Sequence, residues 1–184
     1  MVVKVSRRSS ASSRIFDGVA VVAILFALWK IFIAPRSFEA TGAHPAPHAV
    51  YELLDGGTFR LADQRGHVVF LDFYASWCTP CKIELPFVER WHAAHPDSVV
   101  VPVDVAEPRN VVAEFARRYS LKDVALDPHT TASAYFSVQG FPTVVVIDPR
   151  GYVRAKWEGL NPAIGLAMSN ASVTLGLSED GQRR

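Results

Sequence analysis

Only two cysteines occur in the 184 residues, and they stand three apart, in Trp77-Cys-Thr-Pro-Cys81. Thiols at that spacing close a small disulfide ring and reopen it with little chain strain, so Cys78 and Cys81 form a redox couple. Ahead of them Val68 to Ala75 is an apolar, aromatic and β-branched run, the pattern of a buried strand. Residues 79 to 95 read as a helix that stops at His95-Pro96-Asp97. The couple therefore falls on a strand-to-helix turn. Cys78 is expected to be exposed at the helix N-terminus, where unpaired N–H groups and the helix dipole lower a thiol pKa from about 8.5 to roughly 3.5–7.5. Cys81, one turn further in, is the shielded thiol that acts second and resolves the mixed disulfide between Cys78 and a substrate.

Two carboxyls lie within reach of that turn in sequence. Asp72 interrupts the apolar strand, which raises a carboxyl pKa unless a partner is present and suits it to exchange a proton with Cys81. Glu84, one turn beyond Cys81, can do similar work from the helix side. The plainer alternatives are an edge or capping role for Asp72 and a solvated helix charge for Glu84. Pro86 falls inside the helix and removes one of its hydrogen bonds.

Trp77-Cys-Thr-Pro-Cys81 after a strand ending Asp72-Phe-Tyr-Ala75 resembles the active-site signature of the thioredoxin superfamily. Lys82-Ile-Glu-Leu-Pro86 is more particular and resembles the membrane-tethered TlpA-like branch, which includes the thioredoxins of cytochrome c maturation. The resemblance spans roughly residues 45 to 175. Asp72 is a departure, since many TlpA-like members carry an amide there and the acid matches the general thioredoxins. The resemblance implies an α/β fold, thioredoxin-like, with a central mixed β-sheet flanked by helices. It also implies that Pro142, in Gly140-Phe-Pro-Thr143, is a cis proline lying against the disulfide, and that the backbone of Phe141 pairs with an extended substrate strand. Trp77 would shield the couple. The substrates so implied are protein thiols or disulfides, apocytochrome c or the cysteines of a copper-site assembly protein, with a membrane thiol carrier as electron donor. No dissociable cofactor is called for.

The elements that must hold this site are legible from pattern. Val50-Tyr-Glu-Leu-Leu54 and Thr58-Phe-Arg-Leu61 flank Asp55-Gly-Gly57 as a hairpin. Ser98 to Asp104 is a continuous apolar run suited to a buried parallel strand, and residues 108 to 119 form an amphipathic helix. Residues 120 to 137 include a short helix near Thr131 to Phe136 with a packing role. Val144 to Ile147 and Tyr152 to Glu158 are strands, and Asn161 caps a last helix ending near Leu175. The domain so defined runs from 50 to 177, followed by a polar tail, 178–184.

Ahead of it, residues 15 to 34 have the length and apolarity to cross a bilayer, behind a basic leader, 1–14, with Lys4, Arg7, Arg8 and Arg14. That order keeps the N-terminus cytoplasmic and exports the rest. A cleaved signal peptide is the rival reading, but its small-residue sites, Ala40 to Ala43, lie far from the apolar core. Residues 35–49, with Pro35, Gly42, Pro45 and Pro47, read as an extended tether. A net charge of +1, concentrated in the leader, gives no case for nucleic acid. His44 with His48, and His92 with His95, lack carboxylate or thiolate neighbours, so no metal site is expected and the histidines read as loop or surface residues. Two rivals come from other classes. A peroxidase of related fold wants a threonine where Ala75 stands, and a metal-binding or chaperone module wants more ligands than two cysteines.

Overall fold

The computed structural model describes residues 18–26 and 44–180. The basic leader, the remainder of the apolar stretch, residues 35–43 and the last four residues lie outside them. Residues 18–26 are a helix, α1. Among the described residues no helix is long and apolar enough to cross a membrane.

The strands are β1 (His44–Pro45), β2 (Val50–Leu53), β3 (Thr58–Arg60), β4 (Val69–Tyr74), β5 (Val99–Val105), β6 (Ala125–Asp127), β7 (Thr143–Ile147) and β8 (Tyr152–Glu158). The helices that follow α1 are α2 (Thr79–Ala94), α3 (Arg109–Tyr119), α4 (Thr131–Tyr135) and α5 (Ile164–Asp180). The strands form one sheet in the order β1-β8-β7-β4-β5-β6-β2-β3. β4 runs parallel to β5, and β5 to β6, while the remaining pairs are antiparallel. The expected mixed sheet is present, with the strand ahead of the cysteines at its centre and every residue of β4 buried.

Strand alternation sends successive β4 side chains to opposite faces. Val69, Leu71 and Phe73 pack with Val101, Val103, Val145 and Phe136 on one face. Phe70 faces the other way, into α2 and α5, against Val88, Trp91 and Met168. Further along that second face Tyr74 joins Cys78, Cys81, Leu85, Val112 and Phe115, where α2 begins and α3 passes. Asp72 lies on this face between Phe70 and Tyr74.

Three boundaries differ from the sequence reading. The tether ends earlier, because His44–Pro45 pairs with Val153 and Tyr152 of β8, the Ala46 N–H donates to the Gly151 carbonyl at 2.9 Å, and Ala49 is buried. β6, read only as part of a packing segment, is a strand bridging β5 to the hairpin. The last helix continues past Leu175 to Asp180, into the segment assigned to the polar tail. Asn161 does cap its start, its side-chain oxygen accepting from the Ala163 N–H at 3.0 Å.

Candidate active site

β4 delivers Ala75, and the chain turns through Ser76 and Trp77 with the Cys78 N–H donating to the Ala75 carbonyl at 3.0 Å. Cys78 is the N-cap of α2, with Pro80 in the first turn, where a missing N–H is no loss. Cys78 and Cys81 are disulfide-bonded, their Cα atoms 5.3 Å apart. The Cys81 N–H, one of the helix's unpaired donors, points at Cys78 Sγ at 3.2 Å. Such a donor and the helix dipole stabilise negative charge on Sγ once the bond is reduced, so the helix N-terminus acts on Cys78 and not on Cys81.

The expected exposure of Cys78 is corrected. The residue is only 4% exposed and Cys81 is fully buried. The order of access survives, but Cys78 lies in a hydrophobic cluster against which Phe141 packs, so only the edge of the disulfide meets solvent. Trp77 is 68% exposed, which does not fit a shield; its ring stands edge-on to Phe141, with centroids 5.9 Å apart, and presents most of its surface outward.

The peptide between Phe141 and Pro142 is cis, as the resemblance implies. Two bonds brace that loop: Thr143 Oγ1 donates to the Gly140 carbonyl at 2.8 Å, and the Gly159 N–H to the Pro142 carbonyl at 2.8 Å. Phe141 thus joins the proline loop to the redox turn.

Both carboxyls are buried, which rules out the edge reading of Asp72 and the solvated reading of Glu84. Asp72 occupies the central strand, neither oxygen has a hydrogen-bond partner, and burial, reinforced by Glu84 and Glu89, raises its pKa well above the carboxyl range. Glu84 accepts from the Asn161 N–H at 2.5 Å; burial lifts its pKa to about 7 against the lowering effect of that bond. The two therefore stand on the strand that leads to the couple and on the helix that follows it. Glu84 exchanges a proton near neutral pH, while burial favours the protonated form of Asp72.

Three site residues escaped the sequence reading. Asp104, opposite Tyr74 in the β4–β5 register, is buried, and desolvation together with Glu107 raises its pKa to about 8. Glu107 accepts from both the backbone N–H and the hydroxyl of Ser76, the latter at 2.6 Å. Asp104 carried a readable signal, an acid in an apolar strand, but it stood where the run was taken to end. The histidine pairs are not brought to the couple. His95 stacks on Trp91 at 4.3 Å, and its Nδ1 lies 2.8 Å from the Trp91 carbonyl.

A two-cysteine couple on a strand–turn–helix corner of a mixed sheet, with a cis proline heading the neighbouring strand β7, defines a thiol–disulfide oxidoreductase of thioredoxin-like fold. Comparison with known proteins agrees. Thiol-disulfide oxidoreductase ResA of Geobacillus kaustophilus is 32% identical over 139 residues, covering 74% of this chain and 79% of the relative. The ResA of Bacillus cereus is 33% identical over 140 residues, covering 74% and 80%. Among solved structures, a putative thiol:disulfide interchange protein DsbE from Chlorobium tepidum superposes with a TM-score of 0.67 at 29% identity, covering 72% of this chain and 96% of that one. Residues 43–156 match the AhpC/TSA family, and the chain belongs to it, with homologues of the ResA type.

Proposed function

We propose that the chain is a membrane-anchored, extracytoplasmic reductase of protein disulfides, acting on the oxidised cysteine pair of apocytochrome c or of a copper-site assembly protein. The observation that carries this reading is the Cys78–Cys81 couple at the α2 N-terminus, with Asp72 on the strand before it and Glu84 on the helix after it both buried. In the forward step the Cys78 thiolate attacks one sulfur of a substrate disulfide, and the other leaves as a thiolate. Cys81 then gives its proton to Asp72 or Glu84 and attacks Cys78 Sγ. The substrate's second sulfur leaves and takes the proton that Cys81 gave up, the first-released thiolate takes its proton from water, and the couple is left oxidised. Two electrons and no dissociable cofactor are involved; a membrane thiol donor restores the dithiol. Phe141, ahead of the cis Pro142, offers main chain to an extended substrate strand, and Trp77 offers an exposed ring beside it.

Two features support the direction and place. Thr79 and Pro80 between the cysteines provide no imidazole to make Cys78 the acidic thiolate of the strongest oxidants. The apolar stretch over 15 to 34 follows a basic leader, and the apolar side chains of α1, Val22 and Leu25 among them, are exposed, a surface that lipid would cover. The test is the reduction potential of the couple, equilibrated against glutathione or dithiothreitol. A value near or below about −270 mV is expected for a reductase, and one near about −120 mV would make the protein a disulfide donor.

A further inference from the structure

The acids around the couple divide into two groups. Asp72 and Glu84 stand on β4 and α2, whereas Asp104 stands near the end of β5 and Glu107 in the turn after it, from which it reaches Ser76. Glu107 spans 31 residues of sequence to take both Ser76 donors, one on each carboxyl oxygen. Both Glu107 oxygens are thus engaged by Ser76. Ser76 is the second residue of the turn closed by the Cys78 N–H to Ala75 carbonyl bond, so its position sets where Cys78 begins α2.

Glu107 is itself held from beneath. Asp104 is 1% exposed, and its Oδ2 meets no donor. Burial and the neighbouring Glu107 side chain favour the protonated form of Asp104, whose hydroxyl is then a donor beside Glu107. The Glu107 backbone N–H completes the link to Asp104. Between the two acids the chain passes through Ala106 at φ 63, the left-handed region that alanine seldom enters, with its N–H donating to the Asp127 carbonyl at 3.1 Å. The turn is thus held in an unfavourable shape that brings Glu107 to Ser76.

We propose that Asp104 and Glu107 form a carboxylic acid–carboxylate clamp that positions Ser76 and, through it, the attacking Cys78. This rests on the reading of Cys78 as the nucleophile. While the clamp holds one proton and one negative charge, Ser76 is fixed from both its N–H and its hydroxyl. Ionising Asp104 places two like charges side by side in a buried place, which pushes Glu107 away and slackens the turn. The other titratable groups acting on this corner are Tyr74 and Asp72 from β4 and Glu89 from α2. Lys82, Glu114 and Arg118 line a hollow of about 270 Å³ beside Ser76. Asp104 and Glu107 are positioning residues, since neither is placed to touch the sulfur atoms.

The experiment uses the purified full-length chain. In the oxidised form neither cysteine titrates, so the Ser76 amide resonance is followed from pH 5 to 9 free of any thiol ionisation. Wild type is expected to show a step near pH 8, retained in Glu84→Gln and lost in Asp104→Asn, whose amide is a donor at every pH. In the reduced form, with the alkylated cysteine mapped by mass, Glu107→Ala is expected to slow iodoacetamide capture of Cys78 about fivefold, the factor for one hydrogen bond. A wild-type Ser76 resonance without a step near pH 8, or a step that persists in Asp104→Asn, overturns the clamp, and neither depends on Glu107→Ala folding. Capture at Cys81 ahead of Cys78 would instead refute the assigned order of the cysteines and leave the oxidised-state titration standing.

Discussion

One face of the central sheet carries two unlike halves. Toward the start of β4, Phe70 packs with Val100, Val144, Val146, Val88, Trp91 and Met168, a wholly apolar contact between the sheet and helices α2 and α5. Toward its end the same face holds Asp72, Tyr74 and Asp104, all buried, with oxygens that lack hydrogen-bond partners. The first half is what a sheet and helices require in order to adhere. The second works against folding, because a buried acid without a partner must keep its proton or hold a charge in an apolar place. Under the function proposed above, these acids are the proton store and the positioning apparatus of the couple.

Exchange of one residue in each half separates the two roles most sharply. Cys78→Ser is expected to abolish disulfide exchange, whereas Cys81→Ser accumulates a mixed disulfide with substrate, visible as an added mass that dithiothreitol removes. Equal residual activity in the two variants would contradict the assigned order. In the apolar half, Met168→Ala should cost about 2–5 kcal/mol by emptying a fully buried site, read as a lowered denaturant midpoint. Its exchange rate under folding conditions should match wild type. A large loss of exchange in Met168→Ala would show that the halves are not separable.

Smaller changes divide the acids from each other. Asp72→Asn removes the proton acceptor on the sheet side and should slow resolution of the mixed disulfide by about 10²-fold, the lower end for a lost general base. It should also raise the melting temperature above pH 7, because the amide carries no charge to bury. Glu84→Gln keeps an oxygen for the Asn161 N–H, so its fold should persist while the limb of the rate profile near pH 7 disappears. If that limb persists in Glu84→Gln and vanishes in Asp72→Asn, the relay runs through the sheet alone.

Much of this arrangement was readable because its signals are local. The strand–cysteine–helix corner, the acid inside the strand at Asp72 and the Gly140-Phe-Pro-Thr143 loop are each complete within a few residues. What escaped depends on distant partners. β6 is three residues long, too short for a periodicity, and becomes a strand only because β5 and β2 flank it. Glu107 stands in a turn that reads as loop, and its meaning comes from Ser76 on another element. Cys78 looked exposed because a helix N-terminus usually is, while Phe141, which packs against its cluster, arrives from a loop far down the chain.

The pH dependence of stability is the finest test of the contrast, and its sign follows from the acids. Glu84 and Asp104 titrate near 7 and 8 in the folded chain and near ordinary carboxyl values when unfolded. Between about pH 4 and those values the folded state holds protons that the unfolded state has released, so stability falls as pH rises, and Asp72, whose pKa burial also raises, adds to the fall. His92, whose pKa burial lowers, acts oppositely below neutrality, so the clean window lies above about pH 6.5. Across that window the melting temperature of the oxidised protein should fall by several degrees, at about 2–4 °C per kcal/mol for a chain of this size. The double variant Glu84→Gln, Asp104→Asn should flatten most of the slope. A wild-type melting temperature that rises from pH 6.5 to 8 would mean that these carboxyls are stabilised as anions in the folded chain. The polar half of the face would then support folding as the apolar half does, and the contrast between them would be lost.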